Sequence, residues 1–351
     1  MKDLNNIHKL RSWRHTLDNL SQETGISIKE ACNYTGFAYN EEGVSFYVKL
    51  PKRRETFIGV GMAFSQPVEV INEWITRYSN KRKLYAKDIS EDLVWMYLIN
   101  ANAENDGSGI NYFRRYEEYQ SVAYAVFRER WDEIVLGYQD TSDVEVSLGQ
   151  AEYGPEYDGI RTFVANHMDA FKTAYTKPRV FLDLYVESIL SVCRTHPTLN
   201  SHKSLNSLRG YLDDSMINFL SGNSETINVI DKKSGKRVAN IKHVPKGRNK
   251  YISLCMALGM TGKDIDRFLE MMGYAPLDIF SSDEGKLISA LTDWERTHPV
   301  QRTFKSKYID GNQNVPLTVQ EEQQAVEQML QMKNEISDVF RNDGENFPFS
   351  G

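Results

Sequence analysis

Cysteine is scarce in this chain of 351 residues: Cys32, Cys193 and Cys255 are scattered and odd in number. That argues against a disulfide framework and for a reducing cytoplasm. No apolar run approaches the roughly 20 residues that a membrane span needs, so no membrane association is expected. The first residues, MKDLNNIHKLRSWRHTLDNL, are polar and mixed in charge, unlike a secretory signal. Positive charge is not in excess. The formal net charge is -6, so no overall basic field draws the protein to nucleic acid, and only local patches can do so. The P-loop, GxGxxG, HExxH and paired CxxC patterns are all missing, which leaves the chemistries they carry without sequence support. The expectation is of no cofactor, no metal and no catalytic residue.

What is present is a globular composition and a repeat. Apolar residues make up 40% and charged residues 26%, and the length suffices for two or three domains. Pro51-Lys52-Arg53-Arg54-Glu55-Thr56-Phe57-Ile58 aligns without a gap on Pro245-Lys246-Gly247-Arg248-Asn249-Lys250-Tyr251-Ile252, 194 residues later. The match continues through Met62 over Met256, Ile71 over Ile265, Trp74-Ile75 over Phe268-Leu269, and Leu93 over Leu287. A match of this length indicates one supersecondary unit used twice.

The spacing of apolar residues predicts a mainly α protein. Two helix-turn-helix-like modules flank a helical middle domain, and a small β-hairpin lies in the second module. Ile7, Leu10, Trp13, Leu17 and Leu20 give a helix over 7–22. Ser27 caps a short helix that Gly36 ends. Residues 44–50, VSFYVKL, fit a strand or a short helix. Pro51 and Pro67 each stand where a helix begins, since a missing N–H is harmless there. The first module covers 1–104, and Asn105 to Gly109 reads as a linker. The middle domain covers 110–200, with one helix over 112–136, a loop over 137–159, and helices over 160–175 and 180–194 divided at Lys177-Pro178. The second module covers 204–298, with two β-rich runs around Lys233-Ser234-Gly235 forming the hairpin. A C-terminal amphipathic helix covers 318–341. It serves either as a docking element for a partner subunit or another surface of the chain, or as a last core helix. Residues 342–351 are expected to be disordered.

Several side-chain groups carry two readings each. Lys232, Lys233, Lys236, Arg237, Lys242, Lys246, Arg248 and Lys250 form a basic hairpin leading into a helix start, which suits a phosphate because free N–H groups and the helix dipole favour anions. The alternative is a solvated basic hairpin. Lys52, Arg53 and Arg54 repeat the feature in the first copy, facing either a phosphate or an acidic neighbour. Tyr112, Phe113, Tyr116, Tyr119, Tyr124, Phe127 and Trp131, with arginines beside them, either stack bases or pack a helix on two neighbours. Glu152, Glu156 and Asp158, near His167 and Asp169, are a metal cluster or an exposed acidic loop. Cys193 with His196 is a nucleophile pair or a buried thiol.

From the run Pro245 to Leu269 the pattern resembles the later helices of a λ-repressor-like helix-turn-helix domain. There a basic loop precedes an apolar helix and then a short helix with paired apolar residues. The continuation Glu270 to Leu277, together with Arg82 to Tyr85 and Asp88 to Ile99, resembles a variant from clostridial gut bacteria, often encoded near Ser/Thr protein kinases. The resemblance covers 51–99 and 245–294. It implies a regulatory or protein-interaction module of a bacterial signalling or defence system, with a protein partner or a second copy. The alternatives are a DNA-binding regulator that grips phosphates through its basic helix starts, and a metal-dependent enzyme in the middle region.

Overall fold

The computed structural model describes residues 2–40, 43–84, 89–105, 109–129, 155–202, 204–208, 217, 220, 226–230, 237–242 and 247–349. The fold is mainly α, and its backbone contacts divide the chain into two units. One comprises 1–175, 226–242 and 272–275; the other comprises 176–225, 243–271 and 276–351. Among the described residues no helix is long and apolar enough to cross a membrane.

In the first unit α1 (Lys2–Thr24) buries Trp13, Leu17 and Leu20. Trp13 is the hub. Its ring meets Phe57, Trp74 and Tyr78 edge-on at 5.3, 5.4 and 5.2 Å, and its indole N–H donates to Phe46 O at 2.7 Å. Edge-on aromatic pairs with a satisfied indole are a strong core arrangement. α2 (Ile28–Thr35) starts at a capping box, in which Ser27 and Glu30 satisfy each other's backbone N–H groups, and ends at Gly36 in the left-handed region. Residues 44–50 take both forms the sequence allows: β1 (Tyr39–Asn40) pairs antiparallel with β2 (Gly43–Val44), and α3 (Ser45–Val48) follows.

α4 (Arg54–Ala63), α5 (Val68–Tyr78) and α6 (Ile89–Glu104) then stack on this frame. A 3-10 turn (Tyr112–Arg115) leads into α7 (Tyr116–Glu129). Phe113 and Tyr116 stack on Trp95 at 5.4 and 4.3 Å, so these two rings serve packing. α8 (Pro155–Asn166) occupies the end of the stretch expected to be loop, and α9 (Met168–Thr195) follows after a break at His167. The expected break at Pro178 is absent; that proline lies inside α9. β3 (Thr226–Ile230) and β4 (Arg237–Lys242) form the expected antiparallel hairpin. Its location differs from expectation. The hairpin belongs to the first unit, where β4 lies against α7, rather than to the second module. The separate middle domain over 110–200 is also corrected. α7 and α8 pack on α6, and residues from 176 onward group with the other unit.

The second unit contains α10 (Arg248–Ala257), α11 (Gly262–Met271), α12 (Ser282–Thr297), α13 (Pro299–Tyr308) and α14 (Val319–Asn342). The starts of α10, α11 and α12 follow those of α4, α5 and α6 by 194, 194 and 193 residues. The aligned apolar pairs are buried in both places: Ile58 and Ile252, Met62 and Met256, Ile71 and Ile265, Trp74 and Phe268. The helix ends match bond for bond. Phe64 N–H donates to Val60 O and Gln66 N–H to Gly61 O; Leu258 N–H donates to Leu254 O and Met260 N–H to Cys255 O. The turn residue is left-handed in each, Ser65 at φ 50° and Gly259 at φ 70°. A Cβ on Gly259 would lie 2.7 Å from Met329 Cγ.

α14 is a core helix. It packs on α10, α12 and α13, and buries Val326, Met329, Leu330, Met332 and Ile336. That settles the open choice against a helix reserved for docking. The tail is corrected too. Phe347 and Phe349 are buried and pack edge-on against Phe340 at 5.4 and 6.2 Å, while Lys286 pairs with Asp343 and Glu345. Apolar cover for Phe340 holds a segment that its polar composition marked as loose.

Candidate functional site

Two of the four arginines expected to meet phosphate, Arg54 and Arg248, face inward. Arg54, the first residue of α4, is buried and pairs with Asp92 at 2.7 Å and Glu91 at 3.6 Å, both in the first turn of α6. Burial works against its charge, but Asp92 and Glu91 outweigh that and leave its proton held more tightly than usual. Arg248, the first residue of α10, pairs through both guanidinium arms with Glu284 in the first turn of α12. These arginines fasten the first helix of each stretch to the third. That corrects the expectation for Arg54 and Arg248, since a buried, ion-paired guanidinium is unavailable to a ligand.

Of the remaining expected basic residues, Arg53 is exposed at the start of α4 and Lys250 is half-buried in the first turn of α10. Arg237 and Lys242 lie in β4, opposite Ile230 and Thr226. Lys232, Lys233, Lys236 and Lys246 lie outside the described residues.

Lys52 joins a groove that no local pattern announces. Three segments build it: Asn6, Ile7, Lys9 and Leu10 of α1; the run 48–52 ahead of α4; and the run 78–81 after α5. Its volume is 640 Å³, within the range of ligand-sized clefts. Arg14 fixes one wall by donating to Tyr47 O at 2.9 Å and Val48 O at 3.0 Å. Tyr78 fixes another, its hydroxyl 3.1 Å from both Ser12 Oγ and Thr16 Oγ1. Ser79 Oγ closes the turn with bonds to Ile75 O and Lys81 N–H. Ile7, Leu10, Val48, Leu50, Pro51 and Tyr78 supply an apolar floor, and Lys9, Lys49, Lys52 and Lys81 supply charge. Among the described residues that line it there is no carboxylate. Lys9, Lys49 and Lys81 were not legible as site residues, because α1, the entry to α4 and the turn after α5 meet only in the fold.

Cys193, His196 and His167 serve packing and local bonding. Cys193 is fully buried, and burial pushes its thiol up, the reverse of an activated nucleophile. His196 faces Glu322 at 3.4 Å rather than the thiol. His167 stacks on Phe163, and its Nδ1 lies 2.8 Å from Phe163 O. Glu152, and the side chains of Glu156, Tyr124 and Phe127, lie outside the described residues, as does Trp131. Among the described residues no group of histidine, cysteine and carboxylate side chains is placed to hold a metal ion. Comparison with protein-family models, with characterised proteins and with solved structures yields no match.

Proposed function

We propose that this chain is a binding module without chemistry of its own, and that the lysine-rimmed groove of the first unit takes an acidic, partly apolar segment of a protein partner. The observation that carries this reading is the combination, in the described lining of the groove, of the exposed Lys52 and Lys81 with an apolar floor. A phosphate backbone needs the lysines but gains nothing from Ile7, Leu10 and Leu50, whereas a segment with alternating acidic and apolar side chains uses both. The paired helical stretches fit a regulatory role of the kind implied by the λ-repressor-like resemblance, in a bacterial signalling or defence system. DNA binding is the weaker reading, because Arg54 and Arg248 are committed to Asp92 and Glu284.

The test is fluorescence polarisation with a labelled peptide of alternating aspartate and leucine, a scrambled all-polar acidic peptide and a duplex DNA of equal charge. Binding of the amphipathic peptide, weakened about tenfold or more by Lys52→Glu with Lys81→Glu, supports the reading. Equal binding of all three probes, or of none at low salt, removes it.

A further inference from the structure

Residues 343–349 of the second unit lie in their seat as a peptide ligand would. α14 ends at Asn342, and Gly344 follows at φ 74°, with open space where a Cβ would stand. Gly344 N–H donates to Arg341 O at 2.9 Å and Glu345 N–H to Phe340 O at 3.0 Å, so the helix is closed off before the chain turns away from it. Beyond this turn the segment touches three helices. Phe347 and Phe349 are buried, their rings 5.4 Å apart and both edge-on to Phe340 of α14. Asn249, in the first turn of α10, donates to Pro348 O at 2.9 Å. Lys286 of α12 pairs with Asp343 and with Glu345 at 3.1 Å, and its ammonium lies 4.7 Å from the centre of the Phe340 ring.

The seat does not depend on this segment for its walls. α10 and α12 each pack directly on α14, so the helices that carry Asn249, Lys286 and Phe340 stay joined when the segment leaves. The anchors divide as they do at a peptide interface, with two aromatic rings removed from water and the polar contacts at the rim. The carboxylate side chains of Asp343 and Glu345 are 61% and 58% exposed, and the Asn249 bond is exposed as well. Rim contacts of this kind hold a segment weakly and are replaced readily by those of another segment. A left-handed glycine free of packing supplies the hinge. We propose that this seat is a binding site in its own right, that residues 343–349 occupy it in cis as a strap, and that its ligand in trans is a protein segment of the same chemistry, carboxylates followed by two phenylalanines separated by one residue. This site is independent of the groove in the first unit. The strap shows which side chains the seat selects: aromatic rings for the face around Phe340, and negative charge for Lys286. A tethered ligand competes at an effective concentration of about millimolar, so the strap keeps the seat shut against weak or mismatched segments and yields to a well-matched one.

The experiment uses the full chain with Phe347→Ser and Phe349→Ser, which empties the seat of its rings and leaves the walls unchanged. Phe347→Ser alone, which removes the more exposed of the two rings, is the milder variant. Circular dichroism melts establish that each is folded. The probe is a fluorescein-labelled peptide with the sequence of residues 343–349, and its control carries serine for both phenylalanines. In fluorescence polarisation the peptide is expected to bind the emptied chain about tenfold or more tightly than the unmutated chain, where the strap competes. It should raise the melting temperature of the emptied chain and leave that of the unmutated chain nearly unchanged, since it stabilises the folded form only where the seat is free. Adding Lys286→Glu to the emptied chain should weaken binding about fivefold, the range of a rim charge pair. The control peptide should not bind. Equal binding to the emptied and unmutated chains, binding by the control peptide, or no binding to a folded emptied chain at about 1 mM peptide overturns the proposal. So does failure of both variants to fold, because the strap would then be part of the core rather than its ligand.

Discussion

Arg248 sets both guanidinium arms against the carboxylate of Glu284, and both side chains are almost wholly removed from water. The pair does two things at once. It joins the start of α10 to the start of α12, and through Pro276 O and Asp278 N–H it holds the loop between α11 and α12.

Removing one partner should therefore be costly. Glu284→Ala leaves an uncompensated buried guanidinium and is expected to lower stability by about 3–5 kcal/mol. Denaturant melts measure that loss. Hydrogen exchange should show the Asp278 amide losing protection by more than the core of α10. Replacing both partners by methionine should cost far less than either single change, and an equal cost would refute the account of a desolvated pair.

The two aligned aromatics should behave alike. Trp74 is 5% exposed and Phe268 is fully buried, so truncating either to alanine is expected to cost about 3–5 kcal/mol. Chemical denaturation of the two variants decides this, and a loss under ~1 kcal/mol at either site would contradict its place in the core.

Acid should weaken the second unit through Glu322. Burial raises the affinity of this carboxyl for a proton, but bonds from Lys307 at 2.7 Å, Tyr308 at 2.5 Å and His196 outweigh it and hold the carboxyl below the usual glutamate range. A depressed folded-state value means the contribution is fully present above the unfolded value and is lost as pH falls through the folded one. Glu322→Gln should thus lower the melting temperature at neutral pH, and the difference from the unmutated chain should shrink as pH drops below the carboxylate range. A difference that stays constant with pH would show that the charge is immaterial.

The C-terminal residues should be structural. Deleting 343–351 uncovers Phe340 and removes two acidic partners of Lys286. Stability is expected to fall by about 3 kcal/mol or more, the scale of losing a buried phenylalanine. An unchanged melting curve would mean that the tail does not seal the core.

Much of the helical order was readable because it obeys local rules. The 3.6-residue spacing of Ile71, Trp74, Ile75 and Tyr78 gives α5, and the Ser27 to Glu30 spacing gives the cap of α2. What failed depends on neighbours distant in sequence. Arg54 and Arg248 look like exposed helix-start cations until Asp92 and Glu284, 38 and 36 residues on, fold over them. Phe347 and Phe349 look isolated until Phe340 gives them a surface. Pro178 looks like a helix boundary because proline removes one backbone donor, yet α9 continues through it. The groove was hidden for the same reason: of its four lysines, only Lys52 sits in the run 51–58 that opens the repeat.

The turn that follows α4 and α10 sets a one-way rule for exchange between the two stretches. Ser65 occupies a left-handed position with a side chain, while its counterpart Gly259 has Met329 of α14 directly above it. Glycine carried from the later stretch into the earlier one relieves backbone strain and meets no obstacle. Serine carried the other way brings a side chain into Met329. Segments that look interchangeable in an alignment are thus asymmetric as donors. Chimaeras built from the 258–260 turn should be accepted at 64–66, and the reverse grafts should fail until α14 is altered with them.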